Sequence, residues 1–427
     1  MPNDSSITVE YNPNTFSTSM LEEFNNVNWH FVSYIEGKTT ANKTTIKINN
    51  VSYSVDTDET GHFYYEIPSD IVIEKLCLEY NSYITDLNLH VDTTSCTDMS
   101  RLFYDCSKLS NLNFLQGFGS TCENMSEMFR YYKGTTLNLT NLDTSSCTNM
   151  SHMFYECQSE NIIFSQGFGS VCKNMSFMFE YYYGTTLDLT NFDTSSCTDM
   201  TYMFAECSSL TNLILPQGFG SVCESMRGLF STCEALTFDL TNLDTSSCVD
   251  MSYMFSNYKN TLLNLTNFDT SSCTNMSYMF QGTTSLTNLT LPQGFGSACE
   301  NMSYMFQSYK GTTLNLTNLD TSSCTDMSYM FTGCSSLTNI TFPQIFGSAC
   351  ENMSYMFQNC TAFTNLVFPS GFMLASKNVS YFVKGISASI TFSQGFGSTC
   401  ENMSYMFNGY KNATLDLTNF DTSSCTN

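Results

Sequence analysis

The chain has 427 residues and a formal net charge of −24, from 15 Lys and Arg residues against 39 Asp and Glu residues. Such a surface repels phosphate backbones and anionic membranes, so we expect no nucleic-acid partner and no membrane insertion. Hydrophobic residues make up 42% of the chain, which predicts a folded protein rather than a disordered acidic tail. The first residues show no signal peptide, having neither a basic nor an apolar region.

Residues 1–85 alternate apolar and polar side chains in short runs, such as 45–48, 51–55 and 62–67. Clusters of turn-forming residues separate these runs. The pattern predicts a small all-β domain, sandwich-like and built from antiparallel strands. We expect this domain to cap the repeats that follow, because an open end of a repeat array exposes its core.

From residue 86 to 427 one phrase returns every 24 to 26 residues. It reads Cys-Glu-Asn-Met-Ser-Tyr-Met-Phe at 299–306, and thirteen of the twenty cysteines occupy its first place. A fixed period of this length indicates a solenoid, here of about 13 repeats, in which each repeat extends a continuous core. A solenoid offers a long surface rather than one pocket, which favours binding over catalysis.

Each repeat contains two predicted elements. Leu314 and Leu316 lie two residues apart, which predicts a short strand with one buried face, stacked in parallel with the strands of neighbouring repeats. The Met segment starts after Asn301, a residue type that caps helix N-termini. The Met and Phe residues behind it have the i, i+3, i+4 spacing of a helix face. We therefore expect a short α- or 3₁₀-helix and an α/β repeat solenoid.

The repeat resembles a known family. Met-Ser-Tyr-Met-Phe, then Cys-Ser-Ser-Leu-Thr-Asn-Leu at 207–213, then Asp-Thr-Ser is similar to the BspA-like bacterial surface leucine-rich repeats, which are also common in mycoplasma lipoproteins. The resemblance covers residues 86–427. It implies a leucine-rich-repeat-like solenoid, surface display, and adhesion to host or partner molecules. The family also occurs in gut bacteria and their phages, where such repeats serve as virion fibres.

The cysteines are interpreted as packing residues. Six of them lie seven residues after the first Met, at a place where other repeats carry Tyr, such as Tyr258 and Tyr309. A repeat position that carries either Cys or Tyr is typical of a buried packing position. We therefore expect these cysteines to be reduced, buried thiols. Disulfides between neighbouring repeats stay open as an alternative, since equivalent Cα atoms would lie ~4.8 Å apart.

Catalytic chemistry finds little support in the sequence. Only His152 of the four histidines lies clearly inside a repeat, at a place that varies freely. No metal-ligand cluster, phosphate loop or nucleophile elbow is visible. We therefore expect no enzyme activity, no metal and no cofactor.

Two polar ladders leave alternatives open. The Asp of each Asp-Thr-Ser-Ser phrase, such as Asp320, fits either a calcium ladder or an Asx turn. Six residues before the repeat Cys, twelve of thirteen repeats carry Asn or Gln. These loop amides fit either a ladder that satisfies backbone groups or a row of sugar-binding groups.

The best candidate for a binding site is a row of tyrosines two residues after the first Met of the repeat. We expect the helical spacing to point this place outward, where exposed rings could stack on sugars or dock another chain. The alternative is that the rings only stack on one another and shield the repeat edges. The row, called the tyrosine row below, consists of Tyr202, Tyr253, Tyr278, Tyr304, Tyr329, Tyr355, Tyr381 and Tyr405.

The sequence as a whole predicts a non-enzymatic surface adhesion protein that presents its solenoid to a protein or glycan on a host or partner surface. The alternative is a structural component of a phage fibre or extracellular filament, self-associating through solenoid ends or faces. The chain stops inside a repeat, at residues 425–427, which favours self-association or a fragment. We expect an extracellular, cell-surface or virion location.

Overall fold

A computed structural model describes residues 7–11, 27–78, 82–234, 239–392, 396–411 and 415–427, with only the backbone for 7–11 and 27–31. The chain divides into two compact units. Unit 1 comprises Met1–Cys172 and Thr186–Asp193, and unit 2 comprises Lys173–Thr185 and Thr194–Asn427. The predicted boundary at residue 85 lies inside a strand of unit 1 and stays a prediction.

The N-terminal part of unit 1 consists of short strands. These are β1 (Ile7–Tyr11), β2 (Val27–Phe31), β3 (Tyr34–Thr39), β4 (Lys43–Ile48), β5 (Val51–Asp56), β6 (His62–Glu66), β7 (Leu76–Cys77) and β8 (Ile84–His90). β1 and β2 pair in parallel. β4 pairs antiparallel with β5 and β7, and β3 pairs antiparallel with β6 and β8. β8 then pairs in parallel with β9, the first repeat strand, so the N-terminal sheet continues directly into the repeats.

The repeat strands that the structure describes are three or four residues long. Unit 1 holds β9 (Asn111–Phe114), β10 (Thr136–Leu139), β11 (Asn161–Phe164) and β12 (Thr186–Asp188). Unit 2 holds β13 (Asn212–Ile214), β14 (Leu262–Asn264), β15 (Asn288–Thr290), β16 (Thr313–Asn315), β17 (Asn339–Thr341), β18 (Asn365–Val367) and β19 (Ser389–Thr391). In most of them a buried apolar residue lies between two exposed neighbours, as the alternation predicts.

The predicted α/β class is wrong. The described residues form no helix, and hence none that could cross a membrane. The repeats are turns of a β-solenoid, about 12 in all. The Met segment, predicted as a short helix, is a string of tight turns. Met305 N donates to Met302 O at 3.3 Å, while Tyr304 N and Phe306 N donate to the next repeat, at Ser328 O and Met330 O.

The physical reason for the error lies in where the backbone bonds go. In a helix every N–H would bind the carbonyl four residues earlier. Here every second N–H of the segment finds a partner in the next repeat, which a lone helix cannot offer. Tyr304 and Ser308 have φ near 60°, which a helix does not allow. Asn301 Oδ1 accepts a bond from Ser303 N at 2.9 Å, so the predicted cap forms an Asx turn.

The spacing that imitated a helix still identifies the core. Met302, Met305 and Phe306 are fully buried, as are their counterparts in most described repeats. In unit 2 the Phe rings from Phe179 to Phe357 stack repeat on repeat, with centroids 5.1–6.0 Å apart. Dispersion and burial along this column hold successive turns together.

The cysteines are free thiols, and all but the half-buried Cys425 are buried. The Cys299 thiol donates to Thr274 O of the preceding repeat at 3.5 Å and to Asn301 O at 3.2 Å. Burial raises the pKa of Cys147 from its ordinary 9.0 to about 12. Cysteine therefore packs like a small apolar residue and also gives a buried carbonyl a weak donor.

The predicted packing place seven residues after the first Met is confirmed. Tyr309 and Cys334 occupy it in neighbouring repeats and are 1% and 0% exposed. The Tyr309 hydroxyl donates to Thr313 O at the start of β16, at 3.3 Å. A large Tyr is accommodated because Gly311 follows it, where a Cβ would lie 2.2 Å from the Tyr309 hydroxyl.

Candidate functional site: the tyrosine row of unit 2

The tyrosine row lies on an unusual backbone. All eight tyrosines belong to unit 2 and have φ between 53° and 61°. Tyr304 is the third residue of the turn that Met302 and Met305 close, the place where a type II turn requires positive φ and favours Gly. A bulky residue in this left-handed region costs about 1–2 kcal/mol. Gly228 occupies the same place in one repeat and shows that the turn accepts Gly, with φ 61°.

Seven of the eight predicted rings form one continuous stack. From Tyr253 to Tyr381, successive centroids lie 4.4–4.5 Å apart with interplanar angles of 5–8°. The last pair, Tyr381 and Tyr405, is 4.9 Å apart at 14°. Equivalent Cα atoms of neighbouring repeats are spaced like paired strands, ~4.8 Å apart. This spacing is close to the distance at which aromatic rings stack.

Stacking decides which part of each ring a partner can reach. Every inner ring has both faces covered by its neighbours, so the faces cannot stack on a sugar. The inner rings are nevertheless partly exposed, and Tyr405 at the end of the stack is 62% exposed. The exposed parts of the inner rings are therefore their edges and hydroxyl groups. The tyrosine row presents a ladder of phenol edges rather than a set of aromatic platforms.

The stack has an identifiable end. Tyr202 stacks on Phe177 at 5.5 Å, one repeat earlier. In the next repeat the row has Gly228, and a Cβ there would lie 2.2 Å from Tyr202 Cε1, so the ring of Tyr202 fills this space. Arg227 places its guanidinium 4.6 Å from the centre of the Tyr253 ring. A cation–π contact thus covers the first face of the seven-ring stack.

A second row runs beside the tyrosine row, three residues further along each turn. Gln307 N donates to Tyr304 O at 3.0 Å, so one tight turn joins the two rows. Gln281 Nε2 donates to Gln307 Oε1 at 2.9 Å, and Ser256 Oγ donates to Gln281 Oε1 at 3.3 Å. This polar row consists of Ser256, Gln281, Gln307, Thr332 and Gln358.

Tyr278, Tyr329 and Tyr355 have raised pKa values. Burial, then the neighbouring Tyr253 and Tyr304, raises the pKa of Tyr278 to about 12. Burial also raises the pKa of Tyr329 and Tyr355 above the ordinary value of 10.0. A phenolate would stand beside the neighbouring phenols, and the stacked rings remove part of the water that would solvate it. The hydroxyl groups therefore act as neutral donors and acceptors.

In unit 1 the same place carries Arg101, Glu127 and His152, again with φ of 56–61°. Arg101 binds Glu127 through two bonds of 3.2 Å. Arg130, five residues after the first Met, donates to Glu127 Oε2 at 3.1 Å and lies 4.2 Å from the centre of the Tyr155 ring. Unit 1 thus replaces the neutral phenol ladder with a charged cluster on the same backbone.

The Asp ladder and most Asn members of the amide ladder form hydrogen bonds within the fold. Asp320 Oδ1 accepts a hydrogen bond from Ser322 N at 2.9 Å. This bond forms an Asx turn, which is one of the two alternatives for the Asp ladder, the other being a calcium ladder. Asn318 Nδ2, a loop amide, donates to Leu291 O of the preceding repeat at 2.8 Å. Gln293, from the same ladder, is exposed. Throughout the part of the chain that the structure describes, no group of three or more His, Cys, Asp or Glu residues could hold a metal ion.

Sequence reasoning missed the polar row and the contact of Arg227. The polar row has a signal in the sequence, since the fifth residue after the first Met is Ser, Gln or Thr in five successive repeats. Its hydrogen-bonded chain could not be predicted, because those bonds join neighbouring repeats and depend on how the solenoid turns stack. Arg227 contacts the Tyr253 ring next to Gly228, the one member of the row without a side chain among these repeats. The repeat pattern does not predict this contact.

Comparison with known proteins gives a family match. Five stretches, 76–179, 123–222, 219–293, 295–388 and 383–427, match the family described as "Mycoplasma protein of unknown function, DUF285". Among solved structures, the chain is similar to a leucine-rich repeat protein from Bacteroides ovatus ATCC 8483, with 14% identity and a TM-score of 0.40 over 79% of this chain and 87% of that one. Curated proteins give no match. The mycoplasma-type repeat is confirmed, and the narrower BspA-like assignment stays a prediction.

Proposed function

The chain belongs to the DUF285 family, and we propose that it is a non-enzymatic adhesion protein that binds a protein or glycan partner outside the cell. The tyrosine row of unit 2 is the proposed contact surface. One observation carries this proposal. Eight tyrosines occupy a repeat position whose backbone is in the left-handed region, a conformation that favours Gly. Strained residues that persist in a fold cluster at functional sites.

Two opposing free-energy contributions act at the tyrosine row. Left-handed φ costs about 1–2 kcal/mol per bulky residue, so eight tyrosines represent a substantial total. Ring stacking contributes about 0.5–1.5 kcal/mol per pair and offsets much of it. A purely structural stack would be met as well by Phe, which occupies the same place at Phe177 and stacks on Tyr202. The choice of Tyr in eight repeats therefore supports a role for its exposed edge and hydroxyl.

The surroundings of the row fit a binding surface. Its members repeat at a constant step along a rigid core, so a partner meets the same groups at each repeat. The polar row adds amide and hydroxyl groups alongside. Preorganised side chains lose little conformational entropy on binding, and stacked rings flanked by hydrogen-bonded amides are already ordered.

The test uses purified protein on arrays of immobilised glycans and extracellular proteins. We expect binding to at least one class of array, reduced by at least about tenfold in the double variant Tyr304→Ala, Tyr329→Ala. A matched control changes two tyrosines of unit 1, Tyr104→Ala and Tyr155→Ala. Binding that is unchanged in the Tyr304/Tyr329 variant would contradict the proposed surface.

Self-association into a fibre or filament stays a prediction from the sequence. Light scattering of the purified protein at increasing concentration tests it. A monomer at every concentration would exclude association of the free protein, and a concentration-dependent increase in mass would favour the filament role.

A further inference from the structure

The tyrosine row and the polar row of unit 2 share an uncharged stretch five repeats long. Between Tyr253 and Gln358 the described members of both rows are Tyr, Ser, Gln and Thr only. Charged residues stand at the two ends of the stretch, with Arg227 over the first ring and Lys384 4.9 Å from the centre of the Tyr381 ring. On a chain of net charge −24, such a stretch indicates a partner recognised without ion pairs.

The stretch has hydrogen-bonding capacity that the fold leaves unused. The polar row forms a directed chain from Ser256 through Gln281 to Gln307, in which each side chain donates to the next. No described residue accepts a hydrogen bond from the Gln307 or Gln358 side-chain amide. These half-buried amides, together with the phenol hydroxyls, can donate to and accept from a ligand rich in hydroxyl groups.

The geometry is unfavourable for a protein partner. Protein interfaces gain most of their energy where an aromatic or Arg side chain fills a desolvated pocket. The ring faces that would provide such apolar contact are covered by neighbouring rings, at 4.4–4.5 Å. What remains is a narrow ladder of edges, hydroxyls and amides, which matches the surface of a sugar chain better than that of a protein.

We propose that this stretch binds an uncharged polysaccharide lengthwise, with the sugar hydroxyls hydrogen-bonded to the tyrosine hydroxyls and to the amides of the polar row. The proposal rests on the proposed function and names its partner class. An acidic polysaccharide is disfavoured because the net charge of the chain repels it. The repeated contacts act as linked sites, so affinity should increase with the length of the sugar chain.

The experiment is affinity electrophoresis of the full chain in gels that contain soluble β-glucan, mannan or dextran, with alginate and heparin as acidic comparisons. The test variant is the triple substitution Gln281→Ala, Gln307→Ala, Gln358→Ala, which leaves every tyrosine in place. The matched control is Gln217→Ala, Gln293→Ala, Gln344→Ala, which removes three exposed loop amides of the same unit. Thermal unfolding of each variant shows whether the fold is retained.

We expect retardation by at least one neutral polysaccharide, none by alginate or heparin, and a loss of at least about tenfold in affinity for the test variant alone. The polymer should also bind at least about tenfold more tightly than its own disaccharide. Retardation by none of the neutral polysaccharides, or equal effects of the two triple variants, would overturn the proposal. If the protein then binds an immobilised protein through Tyr304 and Tyr329, the proposed function stands and only the ligand class fails.

Discussion

Units 1 and 2 use one backbone place for two different surfaces. Both hold the second residue after the first Met at φ near 60°. In unit 1 this place carries Arg101 and Glu127, which form a charged cluster with Arg130. In unit 2 it carries tyrosines, which form a neutral stack. The buried Met and Phe residues are alike in both units. The repeat core therefore fixes the backbone, while the residue type in the row on its surface differs between the units.

The largest effects should be equal in the two units, because their cores are alike. Phe129 and Phe306 are both fully buried in stacked columns. We expect Phe129→Ala and Phe306→Ala each to lower the free energy of unfolding by about 3–5 kcal/mol, since each leaves a cavity. Urea denaturation followed by circular dichroism measures this. A cost several-fold smaller in one unit would show that the cores differ.

Alkaline pH should also weaken both units. Burial raises the pKa of Cys147 in unit 1 and of Cys248 in unit 2 to about 12, from 9.0. Unfolded thiols ionise above pH 9 while folded ones stay protonated, so stability is full below pH 9 and falls as pH rises towards 12. Each thiol contributes up to about 1.4 kcal/mol per pH unit.

The variants Cys147→Val and Cys248→Val should each flatten this fall by that amount, as measured by urea denaturation at pH 7 to 10.5. Val keeps the packing without a titratable group. An identical pH dependence in wild type and variants would contradict the assigned role of the thiols.

Substitution by Gly at the shared backbone place should separate the two units. Tyr329→Gly relieves strain but removes two ring contacts worth about 0.5–1.5 kcal/mol each, so we expect a net loss of about 1 kcal/mol. Glu127→Gly relieves the same strain and removes only partly exposed ion pairs, worth about 0–1 kcal/mol. We expect it to be neutral or slightly stabilising. Thermal unfolding compares the two variants, and the reverse order would refute the strain argument.

The smallest effect should come from calcium. The Asp320 carboxylate is engaged by Ser322 N in its own turn, and Asp269 is likewise engaged by Ser271 N. We expect the midpoint of thermal unfolding to be the same in calcium and in a chelator. Asp320→Asn, which keeps the acceptor oxygen, should be tolerated better than Asp320→Ala. A clear stabilisation by calcium would restore the metal-ladder alternative.

Much of the repeat could be predicted from the sequence. The 25-residue period, the strand at Leu314 and the burial of the Met and Phe residues follow from spacing and polarity alone. The tyrosine row could also be identified, because its place is constant within the repeat. These features depend on which side chains face the core. In a periodic sequence the apolar positions recur at fixed places, so the core-facing side chains can be identified directly.

The conformation of the Met segment could not be predicted in the same way. The i, i+3, i+4 pattern is common to a helix and to two successive tight turns, because both return the chain to the core every three to four residues. The choice depends on the next repeat, whose Ser328 O and Met330 O accept the N–H groups of Tyr304 and Phe306. Stacking of the rings depends on those turns, so the sequence offers it only as one of two alternatives for the tyrosine row, and the structure shows that the rings do stack.

The central claim is that the exposed hydroxyl edge of the tyrosine row contacts the partner. The most direct measurement is the affinity of Tyr329→Phe, Tyr355→Phe for the ligand found on the arrays, beside its thermal unfolding midpoint. Phe keeps the ring stack and removes only the hydroxyl groups. We predict a loss of at least about tenfold in affinity with an unchanged midpoint. Wild-type affinity in this variant would contradict the claim and leave the row as a structural stack.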